Sequence, residues 1–132
     1  MSQIYLSARW ERQQELRAVR NALIGYGHEA VCRWLEEEED VTTNRGRAEA
    51  ADRCLADIVD ADIFVAFTEF SRRPERGGRN VELGVALELG IRVILCGPRE
   101  ENIFHHMGGV EQVDSVAELL TRLRESERGG VT

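Results

Sequence analysis

Apolar positions in this chain alternate between two patterns from one end to the other. Short dense runs, QIYLS at Gln3–Ser7, DIFVAF at residues 62–67 and IRVILC at residues 91–96, read as strands. The last two are apolar on both faces, the signature of strands covered on both sides. Between the runs, apolar residues recur at helical spacing. Leu16, Val19, Leu23 and Ile24 mark a helix over residues 10–25. Ala51, Leu55, Ile58 and Val59 mark a second over residues 47–59, with those four on one face. Residues 80–89 and 115–124 read as a third and a fourth. Gly27 is a natural stop for the first helix, and Gly90 ends the third. Residues 28–35 read as a further strand, and residues 111–113 as a short edge strand. The acidic run at residues 36–40 and the Arg-, Ser-, Pro- and Gly-rich stretch at residues 68–78 read as loops.

Alternating strands and helices predict an α/β fold: a single-domain, flavodoxin-like (Rossmann-like) three-layer sandwich with a mostly parallel five-stranded sheet. The expected domain is residues 1–125, with residues 126–132 a frayed tail. In such sheets ligands bind beyond the carboxyl ends of the strands, where strand order reverses. Ser7 and Arg9 after the first strand, Glu69 after the third, and the start of the helix holding Glu82 should therefore meet around one crevice.

Composition narrows the partners. The 132 residues are 42% hydrophobic and 31% charged, the balance of a globular domain. No apolar run approaches the roughly 20 residues that span a bilayer, so no membrane partner is expected. The start, MSQIYLSARW, lacks a basic leader before an apolar stretch, so no signal peptide is expected. A net charge of −7 (17 basic minus 24 acidic residues) argues against duplex nucleic acid. It leaves room for one nucleotide held by an arginine or two. Cys32, Cys54 and Cys96 are widely spaced and form no C-x-x-C pair. They read as buried, reduced thiols of a cytoplasmic protein, without a zinc site. His105 and His106 are adjacent in a loop but have no supporting ligand pattern. No metal and no cofactor is expected.

The stretch RGGRNVELGVALELG at residues 76–90 carries the candidate chemistry. Gly77 and Gly78 lead into a helix whose third residue, on this reading, is Glu82. Unpaired first-turn amides bind anions, or stabilise an ionised carboxylate nearby. Glutamate is common in first turns for that dipole reason alone, worth about 0.3–1 kcal/mol. Here Val81, Leu83, Val85, Ala86 and Leu87 make the helix mostly apolar, and Glu82 would leave it at the ligand edge of the sheet. A partly desolvated carboxylate there is a candidate nucleophile.

The segment GGRNVELGVALELGIRVILCGPREENIFHH resembles the core of the nucleoside 2-deoxyribosyltransferase family, including its small 2′-deoxynucleoside 5′-monophosphate N-hydrolase relatives. IYLSARW and LADIVDADIFVAFTE are similar to other parts of that family, so the resemblance spans residues 3–106. It implies cleavage of an N-glycosidic bond. Glu82 matches the family nucleophile, which forms a covalent deoxyribosyl ester that a second base or water resolves. The family also places an aspartate near the helix before the third strand. One alignment sets Cys54 there, with Asp52 before it and Asp57 about a turn on. Asp57 is preferred, since a polar residue among Leu55, Ile58 and Val59 needs a reason.

The other expected ligand contacts are Ser7 and Arg9, Glu69, the Gly77–Gly78 pair and Arg79, with Tyr5 or Trp34 stacking on the base or packing in the core. Ser71, Arg72, Arg73 and Arg76 make the loop before the Glu82 helix longer and more basic than in the monophosphate-cleaving relatives. Nucleoside and monophosphate therefore both stay open, as do transfer and hydrolysis. The resemblance further implies a small-molecule nucleoside or nucleotide as partner and a homodimer or higher homo-oligomer. The alternatives are a nucleotide-sensing module without turnover and a glycohydrolase acting on a ribonucleotide or NAD.

Overall fold

The computed structural model describes residues 2–37, 42–70 and 77–129. Five strands form one sheet in the order β2-β1-β3-β4-β5: β1 (Gln3–Ser7), β2 (Glu29–Ala30), β3 (Ile63–Phe67), β4 (Arg92–Cys96) and β5 (Glu111–Val113). All four pairings are parallel, the short β5 included. Helices α1 (Gln13–Gly25), α2 (Asn44–Val59), α3 (Gly78–Glu88) and α4 (Val116–Gly129) connect or follow the strands. This is the order and the layered α/β architecture that the alternation predicts. Right-handed crossovers put α1 on one face, and α2 and α3 together on the other. β3 lies between β1 and β4, and all five of its residues are buried. Burying each of its large apolar side chains is worth about 1.5–3 kcal/mol.

The strand after α1 is shorter than its apolar run predicts. Backbone pairing with β1 ends when Val31 N–H reaches the Ile4 carbonyl at 3.1 Å. Side chains then complete the edge of β1. The Cys32 sulfur accepts from Leu6 N–H at 3.1 Å, and the Trp34 indole N–H donates to the Leu6 carbonyl at 2.9 Å. The chain is thereby free to turn into a 3₁₀ segment at Arg33–Glu36. Residues 38–40 of the acidic run lie outside the described residues.

One helix face and two further boundaries differ from the sequence pattern. In α2 the face turned inward carries Cys54, Asp57 and Ile58, while Leu55 and Val59 are exposed. The apolar stripe and the buried stripe of that helix are offset. α4 continues to Gly129, beyond the helix end expected at residue 124. Glu127 lies 3.7 Å from the buried His28 beside β2, and Leu119 and Leu123 anchor α4 in the core. Residues 130–132 lie outside the described residues. Finally, α3 starts at Gly78. Its N-cap is Gly77 at φ +82°, a left-handed conformation suited to glycine.

Candidate active site

Successive side chains of a strand point to opposite faces, so Tyr5 and Ser7 share one face of β1. That face meets α3, and both residues bind the same carboxylate. The Tyr5 hydroxyl donates to Glu82 Oε2, and the Ser7 hydroxyl donates to Glu82 Oε1 at 2.9 Å. Sheet register supplies the surroundings. Phe64 pairs with Tyr5 and stacks on its ring at 5.6 Å between centroids. Ala66 pairs with Ser7 and keeps the space beside it small. The Cys54 thiol, from α2, lies beside both Tyr5 and Glu82 and interacts electrostatically with each. Among the described residues no arginine or histidine pairs with Glu82.

Electrostatics follow from burial. Desolvation pushes the Glu82 carboxyl above its ordinary range, against the hydrogen bonds from Tyr5 and Ser7 and the neighbouring Cys54 thiol, which hold it down. Burial first, and the Glu82 charge second, raise the Tyr5 phenol far above its ordinary value, so it stays a donor. The same two causes push the Cys54 thiol up to about 11. This corrects the expectation that helix amides would stabilise ionised Glu82. Glu82 is the fifth residue of α3, and no acid lies in the first turn. Side chains of β1 and α2 do that work instead.

A second set of contacts links the carboxyl ends of β1, β3 and β4 to the start of α3. Arg9 Nη1 lies 3.0 Å from Glu69 Oε2. The Glu69 amide donates to Glu100 Oε2 at 3.1 Å. Arg79 binds Glu100 through both oxygens, at 2.8 and 2.7 Å. Burial works against ionised Glu100, but Arg79, the Glu69 amide and His105 outweigh it and hold the carboxyl below its ordinary range. Gly97 lets β4 lie close to β3, since a Cβ there would stand 2.6 Å from Thr68 Oγ1. The Thr68 hydroxyl is buried and has no hydrogen-bond partner among the described residues. A Cβ at Gly77 or Gly78 would meet nothing within 4 Å among the described residues.

The structure thus brings Tyr5, Ser7 and Glu82 together, and places Arg9, Glu69, Gly77, Gly78 and Arg79 around the carboxyl ends of the strands. It does not join Asp57 to Glu82. Asp57 is buried, as a polar residue needing a reason, but its partner is Arg33. It accepts from the Arg33 amide at 2.9 Å and from the guanidinium at 3.0 Å, fastening α2 to the segment after β2. The α2 side chain at Glu82 is Cys54, one turn earlier. Trp34 is a core residue. Its N–H is taken by Leu6, and its ring lies 6.4 Å from that of Trp10.

Glu100 was not expected; only its place just past a strand's carboxyl end could have signalled it. His105 Nδ1 accepts from the Glu100 amide at 3.0 Å and so shapes that loop. Among the described residues no three His, Cys, Asp or Glu side chains cluster as a metal site would. Ser71, Arg72, Arg73 and Arg76 lie outside the described residues.

No protein-family model matches the chain, and no curated protein matches it. Solved structures do. A CMP N-glycosidase, BcmB, from Clostridium botulinum superposes with a TM-score of 0.63 at 19% identity, over 92% of this chain and 98% of that one. A 2-deoxyribosyltransferase from the psychrotolerant bacterium Bacillus psychrosaccharolyticus gives 0.66 at 20% identity, over 89% of each chain. A conserved protein from Enterococcus faecalis V583 gives 0.58 at 16% identity, over 96% and 99%. At these identities the likeness is one of fold. It is the fold that the sequence resemblance implies.

Proposed function

We propose that this chain is an enzyme that cleaves the N-glycosidic bond of a 2′-deoxyribonucleoside or its 5′-monophosphate, with Glu82 as nucleophile. One observation carries the reading: a desolvated carboxylate at the ligand edge of the sheet, fixed by two hydroxyl donors and, among the described residues, paired with no cation. An ion pair would quench its nucleophilicity. Burial instead raises its basicity, while Tyr5 and Ser7 fix both oxygens. Glu82 attacks the anomeric carbon as the bond to the base nitrogen breaks, and that electron pair leaves with the base. Negative charge beside the carbon stabilises the oxocarbenium-like transition state. In the second half a new base or water attacks the same carbon, its proton passes to the base released in the first half, and Glu82 departs as a carboxylate. The donors oppose attack slightly, because they stabilise ionised Glu82. They assist ester breakdown for the same reason.

The likeness to an N-glycosidase and a 2-deoxyribosyltransferase supports this reading. So does the placement of Arg9, Glu69, Arg79 and the Gly77–Gly78 turn around the crevice. A second reading, a nucleotide-sensing module, draws on one observation: a thiol, not a carboxylic acid, accompanies Glu82 on α2. The reading also includes a cytoplasmic setting for three free thiols. No helix of the described residues is long and apolar enough to cross a membrane. It further includes a homo-oligomer, supported by exposed apolar side chains on the neighbouring helices α2 and α3: Leu55 (39%), Val59 (62%) and Val81 (65%). Sedimentation as a monomer at micromolar concentration would remove that part.

The deciding experiment is base release, followed by chromatography, from each deoxynucleoside and its monophosphate, with wild type and Glu82→Ala, with and without a second free base. Release that is lost in the variant supports the nucleophile. A new nucleoside formed only with added base makes the enzyme a transferase. No release from any of these substrates refutes deoxyribosyl chemistry; ribonucleotides and NAD would be tried next, and their survival would favour the sensing module.

A further inference from the structure

The rim of the crevice carries its own anion. The Glu100 carboxylate, in the turn after β4, takes one hydrogen bond from the Glu69 amide and two from Arg79. Both partners of the ion pair are well covered, with side chains 11% and 19% exposed. The loop is held in turn by His105, which accepts from the Glu100 amide.

This matters because of where the start of α3 stands relative to Glu82. Glu82 lies four residues beyond Gly78, about 6 Å along the helix axis. At the start of α3 the Asn80 and Val81 amides already bond the Gly77 carbonyl, so the Arg79 guanidinium is the donor there that best suits an anion. A sugar whose anomeric carbon meets Glu82 can extend its 5′ end toward that guanidinium while the base leaves on the other side. Glu100 already holds that Arg79 fork, together with the Glu69 amide at the end of β3. Among the described residues, the four charged groups of this network, Arg9, Arg79, Glu69 and Glu100, sum to zero. A phosphate dianion would meet a carboxylate and no net positive charge from them. A 5′-hydroxyl would meet an acceptor.

We propose that Glu100 makes the site selective for a substrate with an uncharged 5′ end, a nucleoside over its 5′-monophosphate, by holding the donors that a phosphate requires. The proposal rests on the reading of Glu82 as the attacking group and adds a substrate class to it. Selectivity here comes from a repulsive element as much as an attractive one.

The test compares kcat/KM for each deoxynucleoside and its monophosphate in wild type, Glu100→Gln and Glu100→Asp. Wild type should prefer the nucleoside. Glu100→Gln should shift the ratio toward the monophosphate by about tenfold or more, mainly through KM, and Glu100→Asp should keep the wild-type preference. A wild-type preference for the monophosphate overturns the proposal, as does a Glu100→Gln ratio equal to wild type. Should Glu100→Gln fail to fold, Glu100→Ala replaces it.

Calorimetric titration with 2-deoxyribose and 2-deoxyribose 5-phosphate separates this proposal from the catalytic one. If nothing is cleaved, yet Glu100→Gln gains sugar-phosphate binding that wild type lacks, the Glu82 reading fails and the role of Glu100 stands. Equal binding of the sugar phosphate by both proteins, or binding by neither, overturns it.

Discussion

Replacing Tyr5 by Phe removes one hydroxyl and little else. The ring is fully buried and stacked on Phe64, and phenylalanine keeps both the stack and the volume. What is lost is the donor on Glu82 Oε2. A hydrogen bond to a charged group is worth about 1.5–3 kcal/mol. At 1.36 kcal/mol per pH unit, the proton affinity of Glu82 should rise by roughly one to two pH units. Glu82 is already raised by burial, so the change adds to that direction. The acid limb of kcat/KM, measured from about pH 4 to about pH 8, should move upward by that amount. Above the limb, base release should persist, and ester breakdown should slow as the departing carboxylate loses a donor. Ser7→Ala should move the limb the same way through the other oxygen. A limb that stays in place while the plateau collapses would refute the reasoning. It would mean that Tyr5 acts on the substrate and that Glu82 does not need it.

Glu82→Gln should abolish turnover and raise stability at neutral pH. The folded carboxyl holds its proton more tightly than the unfolded one, so its ionisation costs stability as pH rises from the ordinary carboxylate value through the raised one. Calorimetry should show the variant melting higher at pH 7, with the advantage gone below the ordinary carboxylate range; a lower melting temperature at pH 7 would contradict it. Asp57→Ala leaves the Arg33 amide without its acceptor, which costs about 1–3 kcal/mol. A melting point lower by on the order of 5 °C, with kcat per folded molecule retained, fits a fastening role. An unchanged melting point with kcat lost would return Asp57 to the chemistry.

The architecture was legible because each strand is short and densely apolar and each helix has its own periodic stripe. Glu82 stood out in the sequence because it leaves an apolar helix next to a glycine turn. Tyr5 was marked there for its ring and Ser7 for its place at a strand end; that both bind Glu82 follows from their sharing one face of β1, which meets α3. Other features depend on rotation and on distant partners. Cys54 and Asp57 stand three positions apart on α2, so both turn inward; which of them meets α3 is set by how the helix lies on the sheet. The end of β2 is written in side-chain bonds, Cys32 and Trp34 to Leu6, that no strand periodicity records. The helix position of Glu82 depended on which glycine begins α3, and only the positive φ of Gly77 decides that. Glu100 and Arg79 are 21 residues apart and meet only once β4 lies beside the start of α3.

The carboxylate sits on a helix, and two of its donors sit on a strand two residues apart. Sliding β1 by a single position against β3 would present Ile4 and Leu6 to Glu82 in place of Tyr5 and Ser7. A buried charge would then face hydrocarbon. On the proposed chemistry, strand alignment and catalytic competence are therefore one property in this molecule. A misaligned chain would be silent before it unfolded, so turnover itself reports whether the sheet has been assembled correctly.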